Sequence, residues 1–191
     1  MARRRNGLGT EALLRDHLNL EIRRLIPDDA PQYRELRLRG LAAHPDAFTS
    51  SHDEEAGKPL AATQRRLAPD SPDRVWGAFV AGELAGVLGL TPESRAKSRH
   101  KAHVFGMYVA SAFGGRGIGK ALLAHVIHIA RETPHIEQLT LTVTQGNGAA
   151  RALYARAGFE TFGVEPRAIR VDGVYLAKEH MVLFLDRATS A

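Results

Sequence analysis

The run Val109-Ala110-Ser111-Ala112-Phe113-Gly114-Gly115-Arg116-Gly117-Ile118-Gly119-Lys120-Ala121-Leu122-Leu123 constrains the fold of this chain more than any other segment. An apolar strand leads into it, four glycines crowd a turn, and a helix-forming stretch leaves it. Glycines at such a turn remove the Cβ atoms that would hold a ligand away from the backbone. The following helix points unpaired N–H groups and the positive end of its dipole back at the turn. The arrangement calls for a βα unit and suits a phosphate or pyrophosphate; the plain alternative is a turn that merely joins two elements.

Two familiar phosphate loops do not fit. A Walker A loop needs a hydroxyl residue after its lysine to hold magnesium, and Lys120 is followed by Ala121. A dinucleotide fingerprint wants free turn residues and a third glycine where this chain has Ile118 and Lys120, and Glu137, near the acidic position, follows a different context.

At 191 residues, with 44% hydrophobic and 25% charged positions, the chain fits one domain with a sizeable core. We expect that domain over residues 18–187, behind a flexible basic tail at residues 1–17. The sequence contains no cysteine, which excludes a disulfide framework, a thiolate nucleophile and a Cys-based zinc site, and suits a reducing cytoplasm. No run approaches the roughly 18 apolar residues of a membrane span, and no apolar signal core follows Arg3-Arg4-Arg5. A cytoplasmic protein without a membrane partner is the expectation. The net charge of +5 invites a nucleic-acid reading, but residues 1–20 alone carry +2 of it. Aromatics make up only 6% and form no stripe among the basic residues, so no nucleic-acid partner is expected.

Along the chain, Leu18–Leu25 reads as a first strand closed by Pro27, and Asp28 or Asp29 caps a helix through about Ala43. A second helical stretch lies between Asp53 and Leu67. Arg74–Val80 and Leu84–Leu90 are apolar strands joined by the hairpin signal Ala81-Gly82-Glu83. After a basic segment, Glu93–Lys101, come the strand His103–Val109 and the amphipathic helix Ile118–Glu132, ended by Pro134. Leu139–Val143 is a β-branched strand, Asn147–Ala157 a short helix, Phe159–Val164 a strand and Tyr175–Leu185 a long final strand that offers an edge for pairing in a homodimer. The order predicts a mixed α/β (α+β) fold: a central, mostly antiparallel sheet with one parallel βαβ crossover around the glycine loop, flanked by helices.

A second constellation lies at Thr144–Phe159. Asn147 stands at a helix N-cap position, and Tyr154 follows seven residues later on nearly the same face. Two turns separate them by roughly 10 Å. An amide and a phenol so placed either track a long ligand arm or serve as a cap and a core tyrosine.

Together and in this order, the two segments resemble the GNAT superfamily of acyl-CoA-dependent N-acyltransferases, over the stretch from Leu20 to Leu185. Gly115-Arg116-Gly117-Ile118-Gly119 is similar to that family's pyrophosphate loop. Asn147-x-x-Ala150-x-x-Leu153-Tyr154 followed by Gly158-Phe159 is similar to its second motif. One departure stands out: the family usually places Gln or Arg where this chain has Gly114. Phosphates are held mainly by backbone N–H groups, so the departure touches one side-chain contact, and Arg116 offers replacement charge.

The resemblance implies an N-acetyltransferase that moves the acetyl group of acetyl-CoA to a primary amine of a small molecule or peptide. The amine attacks the thioester directly where the strand ending at Val109 and the strand Leu139–Val143 splay apart. Backbone around Met107 and Val109 holds the pantetheine arm and polarises the carbonyl; Gly114, Gly115, Arg116, Gly117, Ile118, Gly119 and Lys120 hold the pyrophosphate. Asn147 contacts the cofactor arm, and Tyr154 contacts it and acts as the acid for the departing thiolate. The family often carries a glutamate on the strand before the loop, and this strand has none. A sensor of acyl-CoA without turnover is therefore the alternative. His103 is the nearest candidate base, with an unperturbed pKa of about 6.5, against the plain reading of an exposed strand-start histidine. In a regular strand His103 shares a face with Phe105, Met107 and Val109; a bulge would change that. His125, His128 and Glu132 have helical spacing, but we read them as a solvated face and expect no metal site. The acceptor site is expected between the segment Asp28–Leu67 and the turn Glu165–Val174, with Arg167, Arg170 and Asp172.

Overall fold

The computed structural model describes residues 19–185. The expected basic tail at 1–17 and the domain's last positions, 186 and 187, lie outside the described residues. Seven strands form one sheet: β1 (Leu20–Arg24), β2 (Arg74–Val80), β3 (Glu83–Pro92), β4 (Lys101–Val109), β5 (Gln138–Thr144), β6 (Glu160–Val171) and β7 (Val174–Phe184), in the order β1-β2-β3-β4-β5-β7-β6. Neighbours run antiparallel except β4 and β5, which are parallel. That pair is the predicted crossover, and its connection carries helix α4 (Ile118–Glu132).

Helices cover both faces. On one side lie α1 (Ala30–Ala43), α2 (His52–Ala56) and α3 (Leu60–Arg66), where Leu25, Tyr33, Leu36 and Leu67 pack on Val75, Phe79 and Val87. On the other, α4 sends Ile118, Leu122 and Val126 against Trp76, Leu88, Leu90 and Val104, joined by Tyr154 of α5 (Gly148–Arg156). The glycines of β2 and β3 let these layers approach: a Cβ on Gly89 would meet the Phe105 ring at 2.2 Å, and one on Gly77 would meet Leu25 and Leu84 at 2.6 Å.

Several expectations change in detail. Asp29 stands at the N-cap of α1, but its side chain makes no cap bond. Its carboxylate instead takes two 2.7 Å hydrogen bonds from Arg23, which hold it below its usual ionisation range, and one from the Ile26 amide. The single helix expected over Asp53–Leu67 is two, because Gly57 closes α2 and Pro59 has no N–H to continue it. The β2–β3 hairpin turns through Ala81 and Gly82, both at positive φ. Glu165–Val174 is not an open turn: β6 runs to Val171 and a two-residue turn at Asp172 and Gly173 leads into β7. The final strand also lacks the free edge expected for a homodimer, because β7 is inserted between β5 and β6 and both its edges are paired over Lys178–Val182. The free edge beyond it belongs to β6. Among the described residues, no helix is long and apolar enough to cross a membrane.

Candidate active site

The site begins where the parallel pair stops. β4 and β5 are paired over Lys101–His103 and Gln138–Thr140 only, yet they run on to Val109 and Thr144. Beyond His103 and Thr140 their pairing ends, in line with the splay that the family resemblance implies. β4 also carries a bulge: Val87 and Gly89 of β3 face Tyr108 and Phe105, so β4 holds one residue more, and Gly106 adopts φ +66°. The bulge overturns the regular-strand expectation. His103 and Phe105 keep one face, and Phe105 joins Tyr108 in the α1 layer, while Met107 and Val109 turn toward α4.

Two adjoining cavities occupy the opening. The larger, about 610 Å³, is lined by Met107, Val109, Gly114, Gly115, Gly117, Ile118, Gly119 and Asn147. Gly115 and Gly117 hold φ of +73° and +77°, and α4 starts directly after Gly117, with Ala121 N–H donating the first helical bond to the Gly117 carbonyl. The N–H groups of Ile118, Gly119 and Lys120 therefore have no acceptor within the helix. Two residues expected here stand apart. Arg116 is exposed, its guanidinium 5.5 Å above the Phe113 ring centre, and Lys120 lines a separate cavity with Arg131 and Arg156.

The smaller cavity, about 310 Å³, is lined by His103, Met107, Asn147 and Tyr154, so it shares Met107 and Asn147 with the larger. Asn147 is indeed a cap, its Oδ1 accepting from the Ala150 amide at 3.1 Å. The cap uses the oxygen while the residue lines both cavities, so the two readings of Asn147 are compatible. Tyr154 is buried and stands edge-on to Phe159, with ring centres 6.0 Å apart; burial pushes its phenol up to about 12. His103 places Nδ1 3.2 Å from Thr140 Oγ1, and burial pushes its pKa down, opposed by nearby Glu93.

Sequence reasoning missed three cations of this cavity: Arg37 from α1, Arg66 from α3 and Lys178 from β7. Lys178 is 7% exposed and donates to Thr49 Oγ1. Burial lowers the pKa of both Arg37 and Lys178. A lysine amid the apolar alternation of the last strand was the one available signal. The loop 44–50 closes the wall, tied at one end by Thr144 Oγ1 donating to the Asp46 carbonyl at 2.7 Å and at the other by Lys178. The segment Asp28–Leu67 thus bounds the cavity as expected, whereas Glu165–Val174 lines neither cavity. Arg167 and Arg170 instead lie 5.1 and 5.4 Å over the Tyr175 ring centre. His125 stands edge-on to Trp76, His128 and Glu132 are exposed, and no group of three potential metal ligands occurs among the described residues.

The profile of the Acetyltransferase (GNAT) family matches residues 32–159, which include the splay, the glycine loop and α5. The chain belongs to the GNAT acetyltransferases. It is an acyltransferase with acetyl-CoA as donor. This GNAT chain is 36% identical over 116 residues to the N-alpha-acetyltransferase RimI of Mycobacterium tuberculosis, covering 60% of this chain and 69% of that protein. It is 30% identical over 120 residues to the L-amino acid N-acetyltransferase AaaT of Escherichia coli, covering 60% of this chain and 74% of the other. The crystal structure of a GNAT-family acetyltransferase from Streptococcus pneumoniae superposes with a TM-score of 0.78 at 24% identity, covering 87% of this chain and 99% of that one. That similarity is one of fold.

Proposed function

We propose that this enzyme transfers the acetyl group of acetyl-CoA to a primary amine by direct attack on the thioester, in the cytoplasm. The observation that carries the reading is the pair of cavities meeting at the β4–β5 splay, with Met107 and Asn147 common to both. In this reading the larger cavity takes the donor. Its pyrophosphate lies against the N–H groups that open α4, and its pantetheine arm runs along Met107 to Val109 and Asn147. The smaller cavity takes the acceptor. RimI is by name an N-alpha-acetyltransferase and AaaT an L-amino acid N-acetyltransferase, which supports an amine acceptor here.

The amine enters as ammonium and loses a proton to His103, directly or through water. Its lone pair then forms the N–C bond to the thioester carbonyl, whose oxygen is stabilised by backbone N–H near Met107. When the C–S bond breaks, the sulfur keeps the electron pair and takes the proton of Tyr154, and the second proton of the attacking nitrogen passes to the phenolate, directly or through water, leaving the neutral amide and free CoA. Juxtaposing amine and thioester is the main contribution of the fold.

Release of free CoA from acetyl-CoA, read across a panel of amines, tests the reading. Tyr154→Phe should lower kcat about 100-fold with acetyl-CoA affinity kept within a few fold. An unchanged kcat in a step limited by chemistry would remove Tyr154 as the acid.

A further inference from the structure

The smaller cavity carries a charge pattern that acetyl transfer alone does not explain. Arg37, Arg66, Lys178 and His103 line it, and no carboxylate does. Arg66 is paired with Asp73 at 2.9 Å, which also accepts from Thr91 at 2.6 Å; the other nearby acids are engaged elsewhere, Glu55 by Lys58 at 2.6 Å and Glu165 by His180 at 3.0 Å. The guanidinium of Arg37 lies 4.3 Å over the Phe48 ring centre, and its Nη1 is shut off from solvent with no hydrogen-bond partner. The hydrogen bond of Lys178 goes to a neutral hydroxyl. Arg37 and Lys178, withdrawn from water and in no ion pair among the described residues, are costly for a fold to hold. A ligand that brings negative charge relieves that cost.

We propose, on the basis of the acetyl-transfer reading above, that the acceptor is a free α-amino acid whose carboxylate is held by Arg37, with Lys178 supplying further positive charge. The planar fork of an arginine matches a carboxylate in two parallel hydrogen bonds. Position fixes the size. Arg37 Nη1 is 3.9 Å from where a Cβ on Gly106 would lie, so an anion on Arg37 sits beside the Gly106–Met107 backbone. One residue step, about 3.8 Å, then separates it from the proposed carbonyl donor. Amine and carboxylate on one carbon span such a gap. A peptide N-terminus presents an uncharged amide at that point and leaves Arg37 unpartnered.

The test uses the full chain with acetyl-CoA and three acceptor sets: free L-amino acids, the matching L-amino acid amides, and unblocked pentapeptides. The expected kcat/KM for the acids exceeds that for the amides by about 10- to 100-fold, the scale of charge-assisted hydrogen bonds. Arg37→Gln should collapse that ratio toward one, mainly through KM, while acetyl-CoA affinity measured by calorimetry stays within a few fold. Equal turnover of acids and amides, or preference for peptides, overturns the amino-acid assignment and leaves acetyl transfer standing. Absence of CoA release from all three sets overturns the assignment too; absence of acetyl-CoA binding as well would sink the donor reading beneath it. Should Arg37→Gln fail to fold, the wild-type ratio of acids to amides decides alone.

Discussion

A tyrosine and a histidine line the same small cavity, and burial moves their ionisations in opposite directions toward the same end. Tyr154 is pushed up to about 12 and His103 down, so both are neutral near pH 7, one as a proton donor and the other as an acceptor. With saturating substrates, kcat should therefore fall on the acid side through a midpoint below about 6.5 as His103 takes a proton. A pH profile of His103→Gln that keeps this limb unchanged would exclude His103 as the base. No alkaline limb should arise from the tyrosine in the ordinary working range. At this scale the sequence showed Asn147 and Tyr154, because both sit on one short helix at a two-turn spacing. It hid Arg37 and Lys178, which lie far apart in the chain and meet only through the sheet.

The β4 bulge decides what the site looks like, and one residue makes it possible. Gly106 at φ +66° occupies backbone that a residue with a Cβ adopts at a cost of about 1–2 kcal/mol, although such a Cβ would meet only Arg37 Nη1, at an ordinary contact distance of 3.9 Å. Gly106→Ala is expected to destabilise the protein by about that amount and to lower acetyl transfer by shifting Met107. Gly163, in β6 with open space and no positive φ, is the control, and its alanine variant should unfold near the wild-type temperature. Equal effects at the two positions would show that backbone conformation is not what Gly106 supplies. Helix α4 could be read from its 3.6-residue period and from Pro134 beyond it. The bulge could not, because alternation of apolar residues does not mark where an extra residue enters a strand. Nor did the period show the break between α2 and α3, where the short stretch Gly57-Lys58-Pro59 interrupts helix-forming residues on either side.

Across the whole molecule, the loop before α4, the bulge and α5 sit on one connected core, so under the proposed reading donor binding should be felt by all three. Acetyl-CoA at about 100 times its dissociation constant should add about 2.7 kcal/mol to stability and raise Tm by roughly 5–10 °C in a domain of this size. A thermal scan with acetyl-CoA that shows no shift would count against the larger cavity as the donor site. The mixed sheet with its crossover was legible from the sequence of elements. The strand order was not, since nothing local in Val174–Phe184 says that it enters between β5 and β6. That insertion also reaches the site. The loop 44–50 is tied by Thr144 and by Lys178, and Lys178 stands on the strand threaded between β5 and β6. Because residues of this loop line both cavities, the placement of one late strand bears on the walls of the two together.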